Sequence, residues 1–194
     1  MMNKKVPFLY HFGRVLLTPV FKVYYNPVVI GKENLNVSGS MLVAGNHKHF
    51  LDQFLTIIST RKGIHYMAKK EYFDDKKVSW FFKGTGCIPV DRSCKDKNCV
   101  DLALSVLKDD GAVGLFPEGT RNRTSKLLLP FKFGTVSMAK KTNSYIVPFA
   151  ITGEYGFRSK PTIRYGKPFL VGDMSLSEAN NYLYNEVKRL LLIK

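Results

Sequence analysis

Cysteine is scarce in this sequence, with three among 194 residues. Cys87, Cys94 and Cys99 are an odd number, and neither a C-x-x-C pair nor a histidine-rich segment accompanies them. This pattern argues against a disulfide-stabilised secreted domain and against a structural zinc site. A reducing compartment is the expected environment.

Long apolar runs are also missing. The longest stretch without Asp, Glu, Lys or Arg covers residues 34–47, and several of its positions are polar. A membrane-spanning helix requires about 20 mostly apolar residues, so the pattern predicts no span. Arg14 and Lys22 interrupt the apolar N-terminus, and the small-residue cleavage site of a signal peptide is missing.

Acidic residues are few relative to basic ones. Thirty Lys+Arg and fifteen Asp+Glu give a formal net charge of +15. Such an excess indicates a polyanionic partner: nucleic acid, an anionic membrane surface or a phosphorylated substrate. Hydrophobic residues make up 45% of the chain, which is enough for the core of one domain and excludes global disorder.

The N-terminal segment is unusually rich in aromatic and basic residues. Its apolar residues recur at helical spacing between positions 8 and 23. Two interpretations are open: a helix that packs against the domain, or an amphipathic helix that lies in a membrane interface. Pro19 is expected to kink or break this helix.

Short apolar runs alternate with helical patterns in the rest of the chain. This alternation predicts an α/β fold, a single domain with a central, largely parallel sheet flanked by helices. The charged stretch 69–83 is expected to be a long irregular loop. The predicted strands cover residues 41–46, 62–68, 111–116, 144–151 and 161–166. The predicted helices cover residues 50–59, 97–108, 134–140 and 177–193.

A histidine and an aspartate follow the strand 41–46, where an α/β sheet usually carries its active site. His47 and Asp52 could form a base with its orienting carboxylate. On an ideal helix five residues place side chains about 140° apart, so the two meet only if His47 precedes the helix. His49 and Asp52 would meet on a regular helix, and a simple capping role for one histidine is the structural alternative.

A second group of polar residues follows the strand 111–116. Gly119 lets the backbone approach an anion closely, Thr120 offers a hydroxyl, and Arg121 offers a planar fork that matches phosphate. Two further charged groups, Lys69-Lys70 and Asp91-Arg92, would each by itself be a solvated surface pair. A simple turn explains Pro-Glu-Gly at 117–119 but not the Thr-Arg that follows it.

The order of these groups along the chain resembles one family. Asn-His-x4-Asp at 46–52, Ala-Lys-Lys-Glu at 68–71, Gly-x4-Asp-Arg at 86–92, Phe-Pro-Glu-Gly-Thr-Arg at 116–121 and Ile-Val-Pro-Phe at 146–149 follow one another. This succession is similar to that of the glycerolipid acyltransferases, specifically the bacterial PlsC-like 1-acyl-glycerol-3-phosphate acyltransferases. The resemblance covers residues about 30–170. It implies an acyltransferase domain over residues 31–194, preceded by a membrane-associating helical segment over residues 1–30.

The resemblance also implies a reaction and roles for residues. A fatty acyl group would move from acyl-CoA or acyl carrier protein to the 2-hydroxyl of lysophosphatidic acid, giving phosphatidic acid for phospholipid biosynthesis. His47 would act as general base and Asp52 would orient it. Glu118 is expected in the substrate site and to pair with a basic neighbour. No metal or other cofactor is implied. The acceptor's phosphate would be held by Lys69, Arg92, Gly119, Thr120 and Arg121.

The resemblance and the N-terminal segment predict a peripheral or monotopic protein on the cytoplasmic face of the cell membrane, bound to an anionic surface.

Three alternative functions remain open. A basic nucleic-acid-binding domain would also use the charge, although no such motif is present and no nucleic-acid partner is expected. A thioesterase would use the same His–Asp pair on water, and a related acyltransferase would use another lysophospholipid.

Overall fold

The computed structural model describes residues 6–91 and 97–193, and within them the chain forms seven α-helices, a short 3-10 helix (Lys32–Leu35) and seven strands. The helices are α1 (Phe8–Tyr25), α2 (Asp52–Ser59), α3 (Glu71–Asp74), α4 (Ser79–Gly84), α5 (Lys97–Lys108), α6 (Gly134–Thr142) and α7 (Leu176–Leu192). The strands are β1 (Val28–Ile30), β2 (Met41–Gly45), β3 (Ile64–Lys69), β4 (Ile88–Val90), β5 (Ala112–Leu115), β6 (Tyr145–Thr152) and β7 (Thr162–Tyr165).

All seven strands join one sheet in the order β1-β7-β6-β2-β5-β3-β4. Every neighbouring pair is parallel except β6 and β7, which are antiparallel. The sheet is therefore largely parallel, and the predicted α/β architecture is confirmed. Each strand predicted from the sequence matches an observed strand to within about two residues at either end, the usual uncertainty of strand boundaries.

Helices cover both faces of the sheet. Alternate residues of β2 enter different cores: Leu42 packs with residues of α5, α6 and α7, whereas Met41 packs with residues of α1 and α2. All five residues of β2 are buried, as expected for a central parallel strand. This burial fixes the end of β2, from which the candidate site extends.

Of the kink or break predicted at Pro19, the break is not formed, because α1 continues through this residue. Tyr10 and Phe21 are buried on either side of the proline, and Thr18 donates its hydroxyl to the Arg14 carbonyl. This packing outweighs the cost of a proline inside a helix, which is about 3 kcal/mol. The helix instead ends before Asn26, whose φ of 49° is typical of a left-handed C-cap.

The predicted irregular loop over 69–83 is also wrong, because it contains α3, α4 and the last residue of β3. Phe82 packs its ring against Tyr72, with 4.8 Å between centroids, and against Phe73 at 5.8 Å. The many charged residues of this segment conceal that aromatic cluster in the sequence. The two helices place Phe82 near the candidate site.

Candidate active site

The candidate site lies at the carboxyl edge of the sheet, beyond the ends of β2, β3 and β5. His47 follows β2, and Phe116 follows the neighbouring parallel strand β5. Lys69 is the last residue of β3, which pairs with β5 on its other side. Because these strands are parallel and adjacent, their loops meet at one edge, where α/β proteins usually carry their active sites.

The two residues of the predicted pair are in contact. His47 Nδ1 lies 2.8 Å from Asp52 Oδ2. His47 is in the loop before α2 and Asp52 is the first residue of that helix, which is the arrangement that the spacing required. With Nδ1 directed at the carboxylate, Nε2 has no hydrogen-bond partner within the part of the chain that the structure describes.

The position of Asp52 is fixed by its own loop. Its side chain is completely buried, and Oδ2 also accepts the backbone N–H groups of Lys48 at 2.7 Å and His49 at 2.8 Å. An aspartate that accepts local backbone N–H groups stabilises a turn at a helix start. The same oxygen therefore holds the loop and the imidazole.

His49 does not take the place of His47. Its ring stacks on Tyr155, with 4.5 Å between centroids and 21° between planes, and its Nδ1 accepts the Leu51 N–H at 3.3 Å. His49 reaches Asp52 through its backbone: its N–H donates to Asp52 Oδ2, and its carbonyl accepts the Asp52 N–H at 3.2 Å. The His49–Asp52 contact considered from the helical spacing is therefore not formed by the side chains.

The loop after β5 holds His47 from three directions. The Phe116 ring stacks on the imidazole at 3.9 Å and 14°. The His47 N–H donates to Glu118 Oε1 at 2.8 Å, and its carbonyl accepts the Asn122 N–H at 2.7 Å. The sequence motif identified this loop, but nothing in the sequence showed that Phe116 and Asn122 contact the histidine.

Glu118 is held by backbone amides, and its expected pairing with a basic neighbour stays a prediction, because Arg92 lies outside the described residues. Only 4% of its surface is exposed, and its second oxygen accepts the Leu129 N–H at 2.8 Å. Within the described ranges its partners are thus two backbone amides and not a basic side chain. Burial raises the pKa of the Glu118 carboxyl, an effect that the two N–H donors oppose. Glu118 therefore joins the backbone of His47 to that of Leu129 beneath the site.

Asn46 extends the sheet by one step beyond β2. Its Nδ2 donates to the Ile151 carbonyl at 2.9 Å, and its Oδ1 accepts the Ile151 N–H at 2.7 Å. A side-chain amide can make both bonds, whereas a carboxylate can only accept. These two hydrogen bonds fix Asn46, the residue immediately before His47.

We expect Asn46→Asp to lower the free energy of unfolding by about 2–3 kcal/mol, because a buried carboxylate would face the Ile151 carbonyl without a donor. Urea unfolding would measure the change. Asn181→Asp is the matched control, since Asn181 is exposed on α7. Equal stability of the two variants would contradict this role of Asn46.

A cavity of about 1030 Å³ opens beside His47. Apolar side chains of α1, α2 and α4 form much of its wall, among them Leu9, Leu17, Phe54, Ile57 and Phe82. Basic side chains also line it: Arg14, Lys69, Arg121, Arg123 and Lys132. The cavity therefore suits a molecule with an anionic head and an apolar body.

The predicted anion-binding residues are brought to this cavity, with one outside the described residues. Lys69, Gly119, Thr120 and Arg121 line it. Lys70 instead lies 3.7 Å from Asp91 through its Nζ, so the structure favours Lys69 of the two lysines. Arg92 lies outside the described residues. Sequence reasoning gave no role to Arg123 and Lys132, although Lys132 lies in a segment that resembles the family.

The backbone conformation of residue 119 favours glycine. Its φ is +72°, which is costly for other residues. The end of the Lys132 side chain lies beside it, with Cε 2.8 Å from where a Cβ would stand. Within residues 6–91 and 97–193, no group of three His, Cys, Asp or Glu residues could hold a metal ion.

A histidine–carboxylate pair at one edge of a parallel sheet, beside a cavity with basic and apolar walls, defines the class: an α/β enzyme. Residues 26–152 match the family model described as Acyltransferase, and the chain belongs to this family. The family prediction from the ordered motifs is thereby confirmed.

The relatives that match this chain are similar over much of its length. It is 30% identical to 1-acyl-sn-glycerol-3-phosphate acyltransferase of Bacillus subtilis, with 89% of this chain and 84% of that protein covered. It is 27% identical to the protein of the same name from Cocos nucifera, covering 89% of this chain and 59% of that protein. The fold is also similar to the crystal structure of the 1-acyl-sn-glycerophosphate acyltransferase PlsC from Thermotoga maritima, with a TM-score of 0.74. The two sequences are 26% identical, and the match covers 94% of this chain and 76% of that chain.

Proposed function

We propose that this protein transfers a fatty acyl group from a thioester to the 2-hydroxyl of 1-acyl-glycerol-3-phosphate, giving phosphatidic acid. The names of the relatives support the acceptor and the reaction class. The observation that carries the proposal is the contact of 2.8 Å between His47 Nδ1 and Asp52 Oδ2, beside a cavity with basic and apolar walls. The donor is the acyl thioester of coenzyme A or of acyl carrier protein.

In this proposal His47 is the general base. Nε2 takes the proton of the acceptor hydroxyl while that oxygen attacks the thioester carbonyl. The carbon–sulfur bond then breaks, and the imidazolium returns the proton to the leaving thiolate. Asp52 stabilises the imidazolium and keeps Nε2 directed at the substrate. No enzyme nucleophile is needed, because the thioester is already activated.

The rest of the cavity supplies binding. Arg121 and Lys69 bring positive charge to the acceptor phosphate, and Gly119 lets the backbone approach it. The apolar wall formed by α1, α2 and α4 takes an acyl chain. Glu118 contributes indirectly, by holding the His47 backbone.

Two acceptors separate this reaction from the related alternative. Purified protein is incubated with palmitoyl-CoA or palmitoyl-acyl carrier protein and either lysophosphatidic acid or lysophosphatidylcholine. We expect a diacyl product from lysophosphatidic acid, because the basic residues match a phosphate monoester with no cationic group attached. Faster acylation of lysophosphatidylcholine would assign the enzyme to another lysophospholipid.

The proposed chemistry uses no metal ion or other cofactor. We therefore expect the rate of acyl transfer to be unchanged after treatment with EDTA and removal of the chelated ions by gel filtration. An inert magnesium–EDTA complex controls for effects of the chelator itself. Loss of activity that returns on addition of a divalent metal would refute this part of the proposal.

We further propose that the protein binds the cytoplasmic surface of an anionic membrane through α1 and its basic surface. One face of α1 packs on the domain, while the other exposes a set of large apolar residues. The exposed fraction is 80% for Phe8 and 69% for Val15. Each Lys or Arg near an anionic leaflet adds about 1 kcal/mol of attraction. No helix of residues 6–91 and 97–193 has both the length and the apolarity of a membrane span.

Replacing Phe8, Phe12 and Val15 with Ser should weaken binding to anionic vesicles without unfolding the protein, because these side chains are exposed. Co-sedimentation with vesicles of phosphatidylglycerol and phosphatidylcholine measures the loss, and circular dichroism checks the fold. A variant with Leu192 and Ile193 changed to Ser is the control, since both are exposed at the end of the chain. Equal binding of both variants, or binding to DNA in preference to vesicles, would contradict the membrane proposal.

A further inference from the structure

Tyr155 contacts Asp52, the carboxylate partner of the candidate base, from a part of the chain that no motif identified. It lies in the loop between β6 and β7, and its hydroxyl donates to Asp52 Oδ1 at 2.8 Å. The other carboxylate oxygen already receives His47, Lys48 and His49. Among the described residues Tyr155 is the hydrogen-bond donor to Oδ1, which is buried with the rest of Asp52.

We propose that Tyr155 is a positioning residue that holds the Asp52 carboxylate, and through it the His47 imidazole, in the orientation that acyl transfer requires. The inference rests on the proposed function of His47. Tyr155 itself reaches the reaction only through Asp52. It is 103 residues away in sequence, so the His-x4-Asp spacing could not reveal it.

The hydroxyl of Tyr155 is well suited to remain a donor. Burial and the nearby charge of Asp52 raise the pKa of Tyr155 far above its ordinary value. The ring is held on two sides, stacked on His49 and in edge contact with Tyr25 at 5.8 Å. A neutral phenol in a fixed ring position therefore faces the carboxylate.

The loop that carries Tyr155 is attached at both ends. Lys48 Nζ donates to the Gly153 carbonyl at 2.5 Å and to Glu154 Oε1 at 2.8 Å. At the other end the Arg158 N–H donates to the Tyr24 carbonyl at 2.6 Å. These bonds join the loop to the segment beside His47 and to the end of α1. They keep Tyr155 in place independently of its own hydroxyl.

Loss of the hydroxyl would act on turnover more than on binding. A buried Oδ1 without a donor would let the carboxylate rotate, and the imidazole would follow it. Neither carboxylate oxygen faces the substrate in the proposed reaction. The Michaelis constants for both substrates should therefore change little.

The test compares Tyr155→Phe with Tyr25→Phe. Both remove one phenolic hydroxyl from the same aromatic cluster, but only Tyr155 donates to Asp52. For Tyr155→Phe we expect kcat to fall about 5- to 30-fold, less than the roughly 10- to 150-fold scale of one hydrogen bond to a charged group, because Asp52 Oδ2 keeps its three other partners. The KM values of both substrates should stay close to wild type. The melting temperature should fall by a few degrees, because the buried Oδ1 loses its donor, so kcat is measured well below it. For Tyr25→Phe we expect wild-type values.

A spectroscopic readout separates this inference from the proposed function. The Nδ1 proton of His47, assigned by its loss in His47→Ala, should give a downfield NMR signal that moves in Tyr155→Phe and not in Tyr25→Phe. An unmoved signal, an unchanged kcat, or an equal fall of kcat in Tyr25→Phe would overturn the positioning role. A moved signal in a protein that transfers no acyl group would overturn the proposed function and leave the contact with Asp52 intact.

Discussion

His47→Ala should abolish nearly all acyl transfer, whereas His49→Ala should retain most of it. Removal of a general base typically lowers the rate about 10²- to 10⁴-fold. His47 has its Nδ1 on Asp52 and lines the cavity, while the His49 ring packs against Tyr155. Steady-state kcat with lysophosphatidic acid and palmitoyl-CoA measures both variants.

Each histidine variant needs a check that the site remains intact. The affinity of His47→Ala for lysophosphatidic acid, measured by calorimetry, should be near that of the wild type, because the phosphate-binding residues are separate from the base. His49→Ala should retain the fold, with a modest loss of activity from its contact with Tyr155. The opposite ranking of the two variants would remove His47 from the role of base.

Arg121→Ala should lower kcat/KM for lysophosphatidic acid about 10- to 150-fold, which corresponds to about 1.5–3 kcal/mol for a hydrogen bond to a charged group. Arg121 lines the cavity in the loop after β5, two residues after Gly119. The KM for the acyl donor should change little, because the guanidinium is assigned to the acceptor phosphate.

Arg61→Ala is the matched control for this variant. Arg61 is exposed and does not line the cavity, so its loss lowers the net charge equally without removing the contact. Equal losses in both variants would mean that general attraction, and not a specific contact, explains the effect. A rise in the donor KM in Arg121→Ala would assign the residue to the phosphates of the donor.

The sequence predicted the central elements of the site because they depend on local spacing. Asp52 follows His47 by five residues, and the pair could meet only if the histidine preceded a helix, which α2 confirms by beginning at Asp52. Buried strands such as β2 carried continuous apolar runs, so their ends could be located. The loop containing Gly119 and Arg121 was found in the same way.

The remaining features depend on contacts between distant segments or on packing that overrides local rules. Tyr155 reaches Asp52 from a loop 103 residues away, and Glu118 binds backbone amides that have no sequence signature. Pro19 is held within α1 by buried neighbours on either side. The charged residues before Phe82 concealed two short helices. In each case tertiary packing decided the outcome.

The most direct test of the account is the stoichiometry of thioester cleavage. Release of free coenzyme A from palmitoyl-CoA is measured by a thiol reagent, with and without lysophosphatidic acid, while the lipid products are quantified by mass spectrometry. The account predicts that thiol release requires the acceptor and equals phosphatidic acid formed mole for mole, and that His47→Ala shows neither. Equal thiol release without acceptor, accompanied by free palmitate, would show hydrolysis of the thioester and contradict the account.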